Sequence, residues 1–137
     1  MRITDVAGDV PVESYDGRDL YFLGAAERAS PLWRQPLAGG VPTKLLDGVI
    51  NAAYDVVERG IYYLDRTASG AGGFLLDPQT TETRLRFFDF ASGRSTTIVP
   101  NLGTVGIGLS ASRDGRTIFF ARVDSSADEL MLVENFR

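Results

Sequence analysis

Apolar residues fall in short runs along the chain, among them Leu20-Tyr21-Phe22-Leu23, Ile61-Tyr62-Tyr63-Leu64 and Ile118-Phe119-Phe120-Ala121, separated by Gly, Pro, Asp and Ser. No window of about 11 residues holds an i, i+3, i+4, i+7 apolar stripe free of Gly or Pro, so the pattern predicts little helix. The runs are rich in Tyr, Phe, Ile, Leu and Val, which is strand composition with turn punctuation. They do not alternate apolar with polar. A strand apolar on both sides is buried on both faces, so the pattern predicts sheets stacked between other layers rather than a two-layer sandwich.

The runs also repeat. Ser14-Tyr15-Asp16-Gly17-Arg18-Asp19-Leu20-Tyr21-Phe22 aligns with Ser112-Arg113-Asp114-Gly115-Arg116-Thr117-Ile118-Phe119-Phe120, and Val56-Val57-Glu58-Arg59-Gly60-Ile61-Tyr62-Tyr63 is a degraded copy. A second run follows each: Leu32 to Leu37, Leu85 to Phe90 and Leu130 to Val133. Phe22 to Leu32 and Phe120 to Leu130 are both ten residues, while Tyr63 to Leu85 is 22, an insertion of twelve. Gly40 to Leu46 and Gly93 to Val99 are both six. Two pairs of matching gaps, together with the aligned turn and strand, identify an internal repeat.

Each unit reads as four strands: a before the Asp-Gly turn, b after it, c on the second run and d after the Gly of the next turn. The units are 11–48, 51–101 with the insertion at 65–82, and 107–137, which stops after three strands. Residues 1–8, with Arg2-Ile3-Thr4, form an orphan strand d. A four-stranded repeat of about 40–50 residues has the period of a β-propeller blade. The expected fold is therefore all-β: one segment, 1–137, of a partial β-propeller with four-stranded antiparallel blades, about three blade equivalents, not closed by one chain.

The Ser-x-Asp-Gly-Arg turn, the aromatic strand after it and the Gly-Gly hairpin at Gly39-Gly40 resemble the TolB-like branch of the WD-type propellers. The ending Asp128 to Arg137 resembles the C-terminal propeller segment of bacterial multidomain regulators, linked to a winged helix or a protein kinase. Two departures stand out. Tyr15 and Arg113 replace the usual Pro of Ser-Pro-Asp-Gly, and the second unit has lost Asp-Gly.

Charge and composition then remove function classes. The chain has 137 residues, 14 basic against 18 acidic, and a net charge of −4, which argues against nucleic-acid binding. Thirteen of the basic residues are Arg, with Lys44 alone, a bias that a GC-rich coding sequence explains. Neither Cys nor His occurs, so thiolate chemistry, Cys-based metal sites and Ser-His-Asp catalysis are excluded. No run approaches the ~20 apolar residues of a membrane span, and the first residues lack the apolar core of a signal peptide. The compartment stays open between cytoplasm and periplasm.

Few residues suggest chemistry. Asp16 and Asp114 are read as turn formers, since Asp caps its own turn and Gly supplies positive φ. The acidic loop Asp124 to Glu129 does not have the spacing of an EF-hand. Gly70 to Gly73 and Gly103 to Gly108 lack the phosphate-loop signatures. Trp33, Phe87, Phe88, Phe90, Phe119 and Phe120 are expected in packing between blades. No metal, cofactor or catalytic residue is assigned.

In a propeller the d–a and b–c loops open at one end, here 7–10, 48–52 and 101–106 with 24–31, 65–82 and 124–128. Long loops on a rigid scaffold carry function. Glu27, Arg28, Arg66, Asp124 and Asp128 are the candidate binding residues on that loop face, for a protein or small ligand. The expected function is non-catalytic recognition or scaffolding, as the C-terminal part of a larger sensory or regulatory protein. The alternatives are the propeller of a glycan-processing enzyme and the substrate-filtering propeller of a prolyl-oligopeptidase-type peptidase. The ring would be completed by the rest of a longer chain or by a homodimer. In that dimer Arg2-Ile3-Thr4 of one copy would pair beside Glu129 to Val133 of the other, twice, closing six blades.

Overall fold

The computed structural model describes residues 8–24, 29–50, 52–66 and 82–124. The fold is all-β, and the described residues contain no helix. Among the described residues ten strands form three antiparallel sheets, none of them closed. The first sheet is the meander β1 (Asp9–Glu13), β2 (Asp19–Leu23), β3 (Ala29–Pro36) and β4 (Thr43–Ile50). The second repeats the order with β5 (Tyr54–Val57), β6 (Gly60–Arg66), β7 (Thr83–Asp89) and β8 (Arg94–Val99). The third pairs β9 (Val105–Ala111) with β10 (Ile118–Arg122). The expected orphan strand at Arg2-Ile3-Thr4, most of the insertion, and Leu130 to Val133 lie outside the described residues.

The aligned turns adopt one geometry. Ser14 N–H donates to the Asp19 carbonyl at 2.8 Å, and Ser112 N–H to the Thr117 carbonyl at 2.8 Å. The serine hydroxyls donate to Asp16 Oδ1 (2.7 Å) and Asp114 Oδ1 (2.6 Å), and the same carboxylates accept from Arg18 N–H (3.2 Å) and Arg116 N–H (3.1 Å). Gly17 and Gly115 sit at φ 69° and 67°, where any Cβ is strained. These bonds hold both carboxyls below the usual carboxylate range, the serine hydroxyl being the main cause and the arginine N–H the next. In the second unit the hairpin tightens to the two residues Glu58-Arg59 between Val57 and Gly60, which face each other in the ladder. That is the physical form of the missing Asp-Gly.

Side-chain alternation along the strands sets the packing. Tyr21, Leu23, Leu32 and Leu46 of the first sheet meet Tyr54, Ile61 and Tyr63 of the second in one buried cluster. Leu64 and Leu85 point to the opposite face and join Val105, with Leu109 and Ile118 packed alongside. The second sheet is thus buried on both faces, as its unbroken apolar runs predict. The third sheet is not. Phe119, expected in the core, is 65% exposed, and Ile107 is 72% exposed. Phe119 and Ile118 are neighbours on β10, so their side chains point to opposite faces, and only Ile118 meets the second sheet. Phe90 lies in the turn after β7 and is also exposed.

Candidate functional site

Among the described residues, clefts open between successive sheets, and two of them lie at the end formed by the a–b and c–d turns. The larger, about 640 Å³, is bounded by the Ser14-Tyr15-Asp16 turn, by Asp19, Tyr21, Arg34 and Leu45 of the first sheet, and by Val57, Glu58, Phe88 and Phe90 of the second. The smaller, about 420 Å³, is bounded by Val57, Glu58, Arg59, Tyr62 and Phe87 of the second sheet and by Arg113 to Arg116 of the third. Each is the groove between one unit's turn and the next unit's, so the two are related by the repeat. The Glu58 hairpin is the ridge that they share.

The larger cleft is acidic and aromatic. Tyr21 stacks on Phe90 across the two sheets, with centroids 5.9 Å apart and ring planes 19° apart. Phe88 meets Phe90 edge-on at 6.2 Å. Arg34 Nη2 donates to Asp19 Oδ2 at 2.7 Å, which raises the pKa of Arg34 further and pairs its charge. Burial pushes the Tyr21 phenol up, and the negative charges of Asp19 and Asp16 add to the rise against the opposing Arg34. Asp16 and Glu58 at the rim are exposed. Asp16 Oδ2 is 3.6 Å from Arg18 Nε, with the two side chains 56% and 83% exposed, a loose surface pair.

The smaller cleft has the opposite balance. Arg59, Arg113 and Arg116 face Glu58 and Asp114 there. Its wall is the Tyr62–Phe87 pair at 4.7 Å, and the Tyr62 hydroxyl donates to the Gly115 carbonyl at 2.9 Å, tying the second sheet to the third turn.

Of the candidate binding residues expected on the loop face, Glu27, Arg28 and Asp128 lie outside the described residues. Arg66 ends β6, half-buried, and among the described residues its Nε has no hydrogen-bond acceptor. Asp124 is exposed and accepts from Arg122 Nε at 2.6 Å. Next to Arg66 in the chain, Asp65 accepts from Arg84 Nε and Nη2 at 2.8 and 2.7 Å and from Arg86 Nη1 at 3.0 Å. This fork locks β6 to β7, and its main effect on Arg84 is to raise that side chain's pKa through the Asp65 hydrogen bond. Among the described residues no three acidic side chains converge as metal ligands would.

Sequence reasoning missed the clefts because their walls come from different units. Tyr21, Arg34, Glu58 and Phe90 share no local motif. The usable signal was the repeat itself, since stacking the aligned turns places the Asp16 turn beside the Glu58 turn. Comparison with known protein families and with curated proteins gave no match.

Proposed function

We propose that this chain is a non-catalytic recognition module, a TolB-like propeller segment within a larger sensory or regulatory assembly, that binds a protein or small ligand at its turn end. The observation that carries the reading is the pair of repeat-related clefts with unlike charge. A rigid stacked scaffold displaying short, differently decorated turns suits selective binding. The residue inventory supports the same reading, since without His or Cys neither an imidazole base nor a thiolate nucleophile is at hand. Four-stranded meanders stacked face to face are compatible with blades, and the repeated Ser-x-Asp-Gly-Arg turn supports the propeller assignment.

The test has two arms. Purified protein is assayed against ester, peptide and glycoside substrates, with no turnover expected. It is also screened against short charged and aromatic peptides, with saturable binding expected that is weakened by Phe90→Ala. Turnover abolished by one carboxylate or serine substitution overturns the reading. So does peptide binding that is indifferent to substitutions at both clefts.

A further inference from the structure

We propose that the larger cleft is a receptor for a cationic side chain, arginine or lysine, presented by a protein ligand. This rests on the recognition reading and specifies its chemistry. Among the described residues three carboxylates, Asp16, Asp19 and Glu58, line the cleft against one cation, Arg34. Asp19 and Arg34 neutralise each other at 2.7 Å. The charges of Asp16 and Glu58 remain at the exposed rim, with Asp16 only loosely paired to Arg18. Asp16 stays ionised because the Ser14 hydroxyl and the Arg18 N–H favour its charged form.

Behind that rim the wall is apolar. The stem of a Lys or Arg packs on Leu45 and Val57, as long basic side chains do on apolar surface. Its head reaches Glu58 and Asp16 with the Phe90 ring beside it, a setting in which a cation is attracted to the aromatic face. An anionic ligand meets the reverse, because Arg34 is already paired with Asp19. The smaller cleft is an internal control: the same groove between the next two units carries three arginines against two carboxylates.

The probes are acetyl-arginine amide, its neutral isostere acetyl-citrulline amide and acetyl-glutamate amide, titrated against the whole chain and followed by backbone amide NMR shifts. The arginine compound is expected to move the amides of Tyr15 to Asp19 and of Glu58, with citrulline binding at least ~10-fold more weakly, a factor worth about 1.4 kcal/mol. The double variant Asp16→Asn, Glu58→Gln removes both charges, and the asparagine side-chain carbonyl keeps an oxygen for the turn bonds. It is expected to lose the arginine response while its unperturbed spectrum reports an intact fold. Equal binding of citrulline, or glutamate binding in this cleft, overturns the cationic assignment and leaves recognition standing. If no probe moves these amides, this assignment falls. The recognition reading falls with it only if the peptide screen is also indifferent to both clefts.

Discussion

The Tyr54 hydroxyl donates to the carbonyl of Val10, a β-branched residue held at φ 50° in the left-handed region. The same hydroxyl lies 3.2 Å from the Tyr21 carbonyl. Val10 sits where the β1–β2 register shifts between Asp9 and Val12, so with Pro11 it forms the bulge. Valine avoids this region, and the bulge persists because neighbours fix it. Asp9 Oδ1 accepts the Val10 N–H at 2.8 Å, and Tyr54 of the second sheet holds the carbonyl. One buried phenol therefore pins the first sheet's edge strand to the next unit.

Tyr54→Phe keeps the ring and leaves that carbonyl without its partner. A loss of about 1–2 kcal/mol in unfolding free energy is expected, in line with a buried group left unsatisfied. Denaturant melts check it. Burial, with a smaller contribution from the Asp55 charge, pushes the Tyr54 phenol far above its ordinary range, so the hydroxyl stays protonated and no alkaline transition from this tyrosine should precede unfolding.

Gly60 is needed for space rather than for an unusual φ. A Cβ there meets the Phe88 carbonyl oxygen at 2.1 Å and the Phe87 ring at 2.6 Å. Gly60→Ala should cost about 1–3 kcal/mol through forced backbone movement. Gly48→Ala is the control, because its nearest neighbour is the Ala29 methyl at 4.0 Å, and a change within about 0.5 kcal/mol is expected. Equal effects in thermal melts contradict the close-approach account.

The strands, their antiparallel order and the matched Asp-Gly hairpins were legible because short-range rules govern them. Apolar runs mark strands, and Ser14-x-Asp16-Gly17 specifies a turn through its own side-chain bonds. The burial of the second sheet on both faces was legible from the same runs. Phe119 was misjudged because its run matches Leu20-Tyr21-Phe22, where Tyr21 and Phe22 are buried, while burial depends on what lies against the face. The clefts were illegible for a related reason: they are made by juxtaposing whole units, and no local pattern encodes Tyr21 against Phe90.

Asp65→Asn should be far more damaging than loss of the surface pair Lys44–Asp47. Asp65 is 8% exposed and serves two arginines at once. Removing its charge leaves Arg84 and Arg86 half-buried and uncompensated, at a cost of about 1.5–3 kcal/mol, the scale of hydrogen bonds to charged groups. Lys44 Nζ–Asp47 Oδ1, at 2.7 Å with Asp47 88% exposed, should contribute no more than about 1 kcal/mol. Chemical denaturation of Asp65→Asn and Asp47→Asn compares them directly.

Acid should loosen the turns in a defined window. Asp16, Asp114 and Asp89 all have folded-state pKa values lowered chiefly by side-chain hydrogen bonds, to Ser14, Ser112 and Ser92. A lowered folded value means that the stabilisation is fully present above the unfolded pKa of about 3.9 and is lost as pH falls through the folded values. The melting temperature should therefore be insensitive to these groups above about pH 5 and decline below about pH 4. Ser14→Ala should raise the Asp16 pKa toward its ordinary value, read by NMR titration of the carboxyl carbon. An unchanged Asp16 titration in that variant rules out the hydroxyl as the main cause.

Two phenylalanines on corresponding b strands of the repeat should behave oppositely. Phe22 is 2% exposed, and its ring fills the space above Gly8, where an added Cβ would meet it at 2.5 Å. Phe119 is 65% exposed on the outer face of β10. Phe22→Ala removes a full core side chain and should cost roughly 3–5 kcal/mol. Phe119→Ala removes surface already in water and should change stability by less than about 1 kcal/mol. The comparison tests whether the third sheet's outer face is bare in solution. A Phe119→Ala loss as large as that of Phe22→Ala would mean that another layer covers this face, restoring the two-sided burial that the sequence pattern predicts for every b strand.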